Sequence, residues 1–129
     1  GAGFYTYDAA GKRTGLWEGL ANAWPVAVVQ PDLAQVQHRL LMIQALEAVR
    51  ALEEGVLTDI REGDVGAILG WGFAPWSGGP FSWLDRIGAG AAMDICLGLS
   101  GLGLRFQPPA LLADIAAKGD GFYARFAAA

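Results

Sequence analysis

Asp32-Leu33-Ala34-Gln35-Val36-Gln37-His38-Arg39-Leu40-Leu41-Met42-Ile43-Gln44-Ala45-Leu46-Glu47-Ala48-Val49-Arg50-Ala51-Leu52-Glu53-Glu54 carries apolar side chains at helical spacing, and its reading decides the fold class. Asp32 follows Pro31 and precedes the apolar run, so it is placed to cap a helix over 32–54 that Gly55 stops. Around the helix circumference, Leu40, Leu41, Met42, Ile43, Leu46, Val49 and Leu52 occupy more than half, and Arg39, Glu47, Arg50, Glu53 and Glu54 crowd the rest. A stripe that wide predicts contact on more than one side, at the domain centre or at a subunit interface. At the α-helical rise the segment is about 34 Å long, enough to serve as the spine of a small domain.

Downstream of the spine the helices are shorter. Asp59 with Glu62 has the spacing of a capping box and predicts a second helix through Val65, Ile68 and Leu69, ended by Gly70 and Gly72. Gly72-Phe73-Ala74-Pro75-Trp76-Ser77-Gly78-Gly79-Pro80 then predicts a tight structured loop. Its glycines, with Gly70, offer conformations closed to other residues, and Phe73, Trp76, Phe81 and Trp83 are large enough to fill the space between helices. A third helix over 80–87 uses Pro80 where a missing N–H costs nothing. A fourth is expected over 89–99 and a fifth over 109–117, entered through Pro108-Pro109. No segment alternates apolar and polar residues, so no sheet is expected. The fold class read here is all-α, a single domain of about five helices.

Upstream, residues 6–30 are irregular, with glycines, Pro25, Trp17 and Trp24, and read as a linker with one short helical turn at most. The two tryptophans are suited either to dock on a partner surface or to fold back on this domain. Gly1-Ala2-Gly3-Phe4-Tyr5 opens the chain and Gly119-Asp120-Gly121-Phe122-Tyr123 nearly closes it, both reading G-x-G-F-Y. This echo suggests the end of one structural unit over 1–31, linker included, followed by a complete unit of the same type over 32–126.

Composition excludes several function classes. The 129 residues suffice for one core, and 53% hydrophobic against 17% charged residues is a globular balance. A net charge of −4 without a Lys/Arg cluster argues against nucleic acid. The single cysteine, Cys96, permits no internal disulfide and fits a buried thiol in a reducing compartment. The longest weakly charged stretch, 87–104, carries Asp94 and five glycines, so no membrane span is expected. No basic start with an apolar stretch and small-residue cleavage site is visible, which sets the expectation of a cytoplasmic protein.

Candidate chemistry is sparse. His38 is the one histidine, on the edge of the spine's apolar face, with no second strong ligand to build a metal site. Its packing or surface role outweighs a catalytic one. Ser77, Ser82 and Ser100 have no base suggested beside them, and Ser77 lacks a strand-to-helix elbow. Gly88-Ala89-Gly90 and Gly101-Leu102-Gly103 complete no G-x-G-x-x-G and follow no expected strand, so no cofactor site is read in this chain. Asp85, Asp94 and Asp114 fall in separate helices and are read as caps, surface charges or partners of Arg86 or Arg105.

Glu47-Ala48-Val49-Arg50-Ala51-Leu52-Glu53-Glu54-Gly55-Val56, Ile68-Leu69-Gly70-Trp71-Gly72-Phe73-Ala74-Pro75, Gly78-Gly79-Pro80-Phe81-Ser82-Trp83-Leu84-Asp85 and Gly121-Phe122-Tyr123, in that order and spacing, resemble the carboxy-terminal helical domain of the 3-hydroxyacyl-CoA dehydrogenase family, as found in multifunctional fatty-acid oxidation proteins. The resemblance covers about 37–123. It implies that Gly70, Gly72, Phe73, Pro75, Gly78, Gly79, Phe81, Leu84 and Asp85 form a structural loop. It implies a parent that oxidises L-3-hydroxyacyl-CoA with NAD, whose catalytic histidine and glutamate belong to a Rossmann domain outside this chain. The family's first helical repeat places an asparagine before an arginine early in its long helix, and the matching place here is His38 before Arg39. That departure implies a second repeat without a direct substrate role, with no catalytic residue, cofactor or metal of its own. Expected partners are the preceding Rossmann and helical domains and a second subunit, with acyl-CoA as the parent's substrate. A freestanding acyl-CoA-binding module and a dimerisation module stand as alternatives.

Overall fold

The computed structural model describes residues 3–126 and divides into two units, Gly1–Pro31 and Asp32–Ala129. Gly1 and Ala2 of the amino-terminal tag lie outside the described residues.

The first unit corrects the expectation of no sheet. Strand β1 (Tyr5–Tyr7) pairs antiparallel with β2 (Arg13–Leu16), Tyr5 opposite Leu16 and Thr6 opposite Gly15, with an irregularity between Thr6 and Tyr7. The turn is built by Asp8, whose carboxylate accepts from the Ala10 and Lys12 amides at 2.9 Å each, while Gly11 takes a φ of 79°. The ribbon left no alternating pattern because nearly all its side chains are exposed, so no buried face selects every second residue. Arg13 stacks over the Tyr5 ring at 4.8 Å. A short helix, α1 (Leu20–Ala23), follows, and Trp24 lies 5.9 Å from Phe4 with both rings largely exposed.

The second unit is helical: α2 (Leu33–Glu53), α3 (Ile60–Trp71), α4 (Pro80–Ile87), α5 (Ala89–Leu99), α6 (Ala110–Lys118) and α7 (Phe122–Phe126), with three single 3-10 turns between them. The all-α reading of this domain holds. Asp32 caps α2 as its sequence position predicts, accepting from the Gln35 amide at 3.1 Å, and Gly55 follows the helix at a φ of 72°. Met42, Ala45, Leu46 and Val49 are buried, and α2 packs against α4, α5 and α6, which is what its wide apolar stripe demanded. The stripe is not buried throughout, since Leu40 at its start is exposed, as is Leu33 in the first turn of the helix. The short α7 was not expected; it completes the core by burying Phe122, whose ring lies tilted against Phe81 at 5.4 Å. Burying such a ring stabilises the fold by about 1.5–3 kcal/mol.

The second helix also departs from expectation at its ends. Asp59 caps α3 and pairs with Arg61 at 2.6 Å, in place of a reciprocal box with Glu62. Gly70 does not end α3 but lies inside it with an ordinary φ; Gly72 in the left-handed region is the true stop. One glycine inside a helix costs only about 1 kcal/mol, too little to break it when Ala67 and Phe73 anchor both sides. Among the described residues, no helix is long and apolar enough to cross a membrane.

Candidate functional site

The glycine-aromatic loop after α3 is organised by a carboxylate that the motif reading missed. Asp64 projects from α3 between Ile60 and Ala67 and is buried, with 2% of its surface exposed. It accepts from the Phe81 and Ser82 amides at 2.7 and 3.0 Å, from the Ser82 hydroxyl at 2.6 Å and from the Tyr123 hydroxyl at 2.9 Å. It therefore caps α4 from a different helix, because the N-cap position itself is Gly79 and offers no side chain. Gly79 sits at a φ of 114°, and a Cβ there would collide with the Asp64 side chain. Four donors satisfy the buried charge, which is the condition for holding one in a core. The signal in the sequence was an acid on the apolar face of α3, at helical spacing from Ile60 and Ala67.

Asp85 does the same for α7. Its two oxygens accept from the Phe122 and Tyr123 amides at 2.6 and 2.9 Å, so of the three roles open to it, cap, surface charge or arginine partner, it takes that of a cap, on a helix other than its own. Of the other loop residues, Phe73, Phe81 and Leu84 are in the core, Pro75 opens a 3-10 turn at the surface, and Gly78 closes that turn at a φ of 83°. Gly72 supplies the left-handed cap, whereas Gly70 contributes no special conformation. Trp83 fills space between helices as expected, but Trp76 is exposed and receives Arg86 over its ring at 5.9 Å.

His38 is exposed between two shallow grooves. One, of about 340 Å³, is lined by Gln37, Leu40, Leu41, Trp76 and Trp83; the other, of about 290 Å³, by Asp32, Ala34, Gln35, Ile95, Gly98 and Leu99. The structure thus brings His38 near the tryptophans of the loop without bringing it to Asp64 or Asp85. The serines are committed to the backbone or to Asp64: Ser77 donates to the Ala74 carbonyl at 2.6 Å and Ser100 to the Leu97 carbonyl at 2.7 Å. Asp94 is a surface charge. Asp114 pairs with Lys118, one turn further along α6, and with Arg125 of α7 rather than with Arg86 or Arg105, and these cations hold its carboxyl below the usual carboxylate range. A third groove of about 430 Å³, lined by Cys96, Leu97, Leu104 and Phe106, is apolar, and burial pushes the Cys96 thiol up. Among the described residues, no three His, Cys, Asp or Glu side chains gather at metal-ligand distance.

No protein-family model matches the chain. A fatty acid oxidation complex subunit alpha of Shewanella amazonensis is 38% identical over 128 residues, covering 95% of this chain. The chain spans only 18% of that relative's length. The likeness includes the region of the capped loop, so the resemblance read there stands: over nearly all of its own length, the chain is a homologue of one segment of a fatty acid oxidation complex alpha subunit.

Proposed function

We propose that this chain is a non-catalytic helical domain of an NAD-dependent L-3-hydroxyacyl-CoA dehydrogenase of cytoplasmic fatty-acid β-oxidation, and that it serves packing and assembly. The observation that carries this reading is the commitment of its two inward carboxylates. Asp64 and Asp85 spend their lone pairs on the amides that open α4 and α7, and neither is within reach of His38 as a base partner. Hydride transfer from C3 of the hydroxyacyl group needs a general base beside the hydroxyl and a nicotinamide on the other face.

The residues of this chain do not fit the dinucleotide. Gly88 and Gly90 stand at the joint of α4 and α5, and Gly101 and Gly103 lie among 3-10 turns, so neither pair follows a strand that would aim amides at a pyrophosphate. NAD and the catalytic histidine belong, in this proposal, to a preceding Rossmann domain. Exposed Val65, Leu69 and Trp71 on α3, with Leu40 and Trp76 nearby in the chain's second unit, supply apolar surface for the neighbouring helical domain or a second subunit.

The purified chain given L-3-hydroxyacyl-CoA and NAD should produce no NADH absorbance; steady turnover would overturn the proposal. The gene upstream should encode a G-x-G-x-x-G segment between a strand and a helix. An acyl-binding reading is favoured by one observation, the apolar groove that Trp76 and Trp83 share with His38. Acyl-CoA titration followed by tryptophan fluorescence separates the two, since only the acyl-binding reading predicts a saturable change.

A further inference from the structure

We draw no further inference here: the strongest candidate, the shallow groove beside the first half of α2 that His38, Leu40, Trp76 and Trp83 line, belongs with the apolar surface already assigned to assembly, and nothing in the structure shows what covers it.

Discussion

The Asp64 carboxylate on α3 accepts the Tyr123 hydroxyl at 2.9 Å from fifty-nine residues further along the chain. The same oxygen takes the Ser82 hydroxyl, and its partner oxygen takes the Phe81 amide. One buried charge thus ties α3, the start of α4 and the last helix together. Three short helices that would be marginal in isolation are held in one arrangement by a group that none of them could leave unpaired.

Removing the charge should therefore cost more than removing any one donor. Asp64→Ala leaves two amides and two hydroxyls without their acceptor and is expected to lose about 3–5 kcal/mol, enough to unfold a domain of ordinary stability. Tyr123→Phe removes a single hydroxyl and should lose about 1–2 kcal/mol. A double-mutant cycle in urea should give a coupling energy well above zero; additive losses would show that the two groups act independently.

Gly79→Ala should be as damaging as the loss of Asp64 itself. The added carbon would meet the Asp64 side chain, at a φ of 114° that L-residues rarely adopt. A loss of about 3 kcal/mol or more is expected. Gly70→Ala, by contrast, sits inside α3 with open space around it and should be neutral or stabilise by up to about 1 kcal/mol. If thermal melts showed the two changes to be equivalent, the account of the loop would be wrong.

The helices α2 to α6 were legible because their start signals are local: Asp32, Asp59 and Pro80 each mark a first turn. Gly70 was misread as a stop because a glycine's cost is small beside the burial of Ala67 and Phe73 around it. The hairpin was silent because burial selects no face of it. Asp64 was visible in principle, as an acid on an apolar face, but its partners lie in α4 and α7, and a sequence pattern carries no information on which distant amides converge. The loop motif therefore announced its fold and concealed the residue that organises it.

Two kinds of group set the pH limits. The Arg61 guanidinium brings the Asp59 carboxyl from 3.8 down to about 2, through a side-chain hydrogen bond first. A carboxyl depressed by folding stabilises above its unfolded pKa, so this contribution is present above pH about 4 and lost as pH falls toward 2. Asp114 acts in the same direction through Lys118 and Arg125. Because all these groups are at the surface, the effect should be modest and weaken in salt. Asp59→Asn keeps the cap and removes the charge, so any melting-temperature gap from the parent at pH 6 should vanish by about pH 2. At the basic end, burial and then the Asp64 hydrogen bond push the Tyr123 hydroxyl above its ordinary 10.0 against an opposing Ser82 contact. Its stabilisation is full below pH about 10 and is lost as pH rises through the raised value; Tyr123→Phe should abolish that alkaline loss.

His38 supplies a final prediction, because its surroundings do not supply a base partner. It is exposed on the first half of α2, between a groove shared with Trp76 and Trp83 and another shared with Asp32. An exposed side chain without a hydrogen bond contributes little to folding, so His38→Ala should change stability by no more than about 0.5 kcal/mol. If the domain serves packing alone, acyl-CoA should leave the fluorescence of Trp76 and Trp83 unchanged in both the parent and the variant. A saturable change in the parent that disappears in His38→Ala would assign the groove a ligand, and the proposed non-catalytic role would have to be widened to substrate binding.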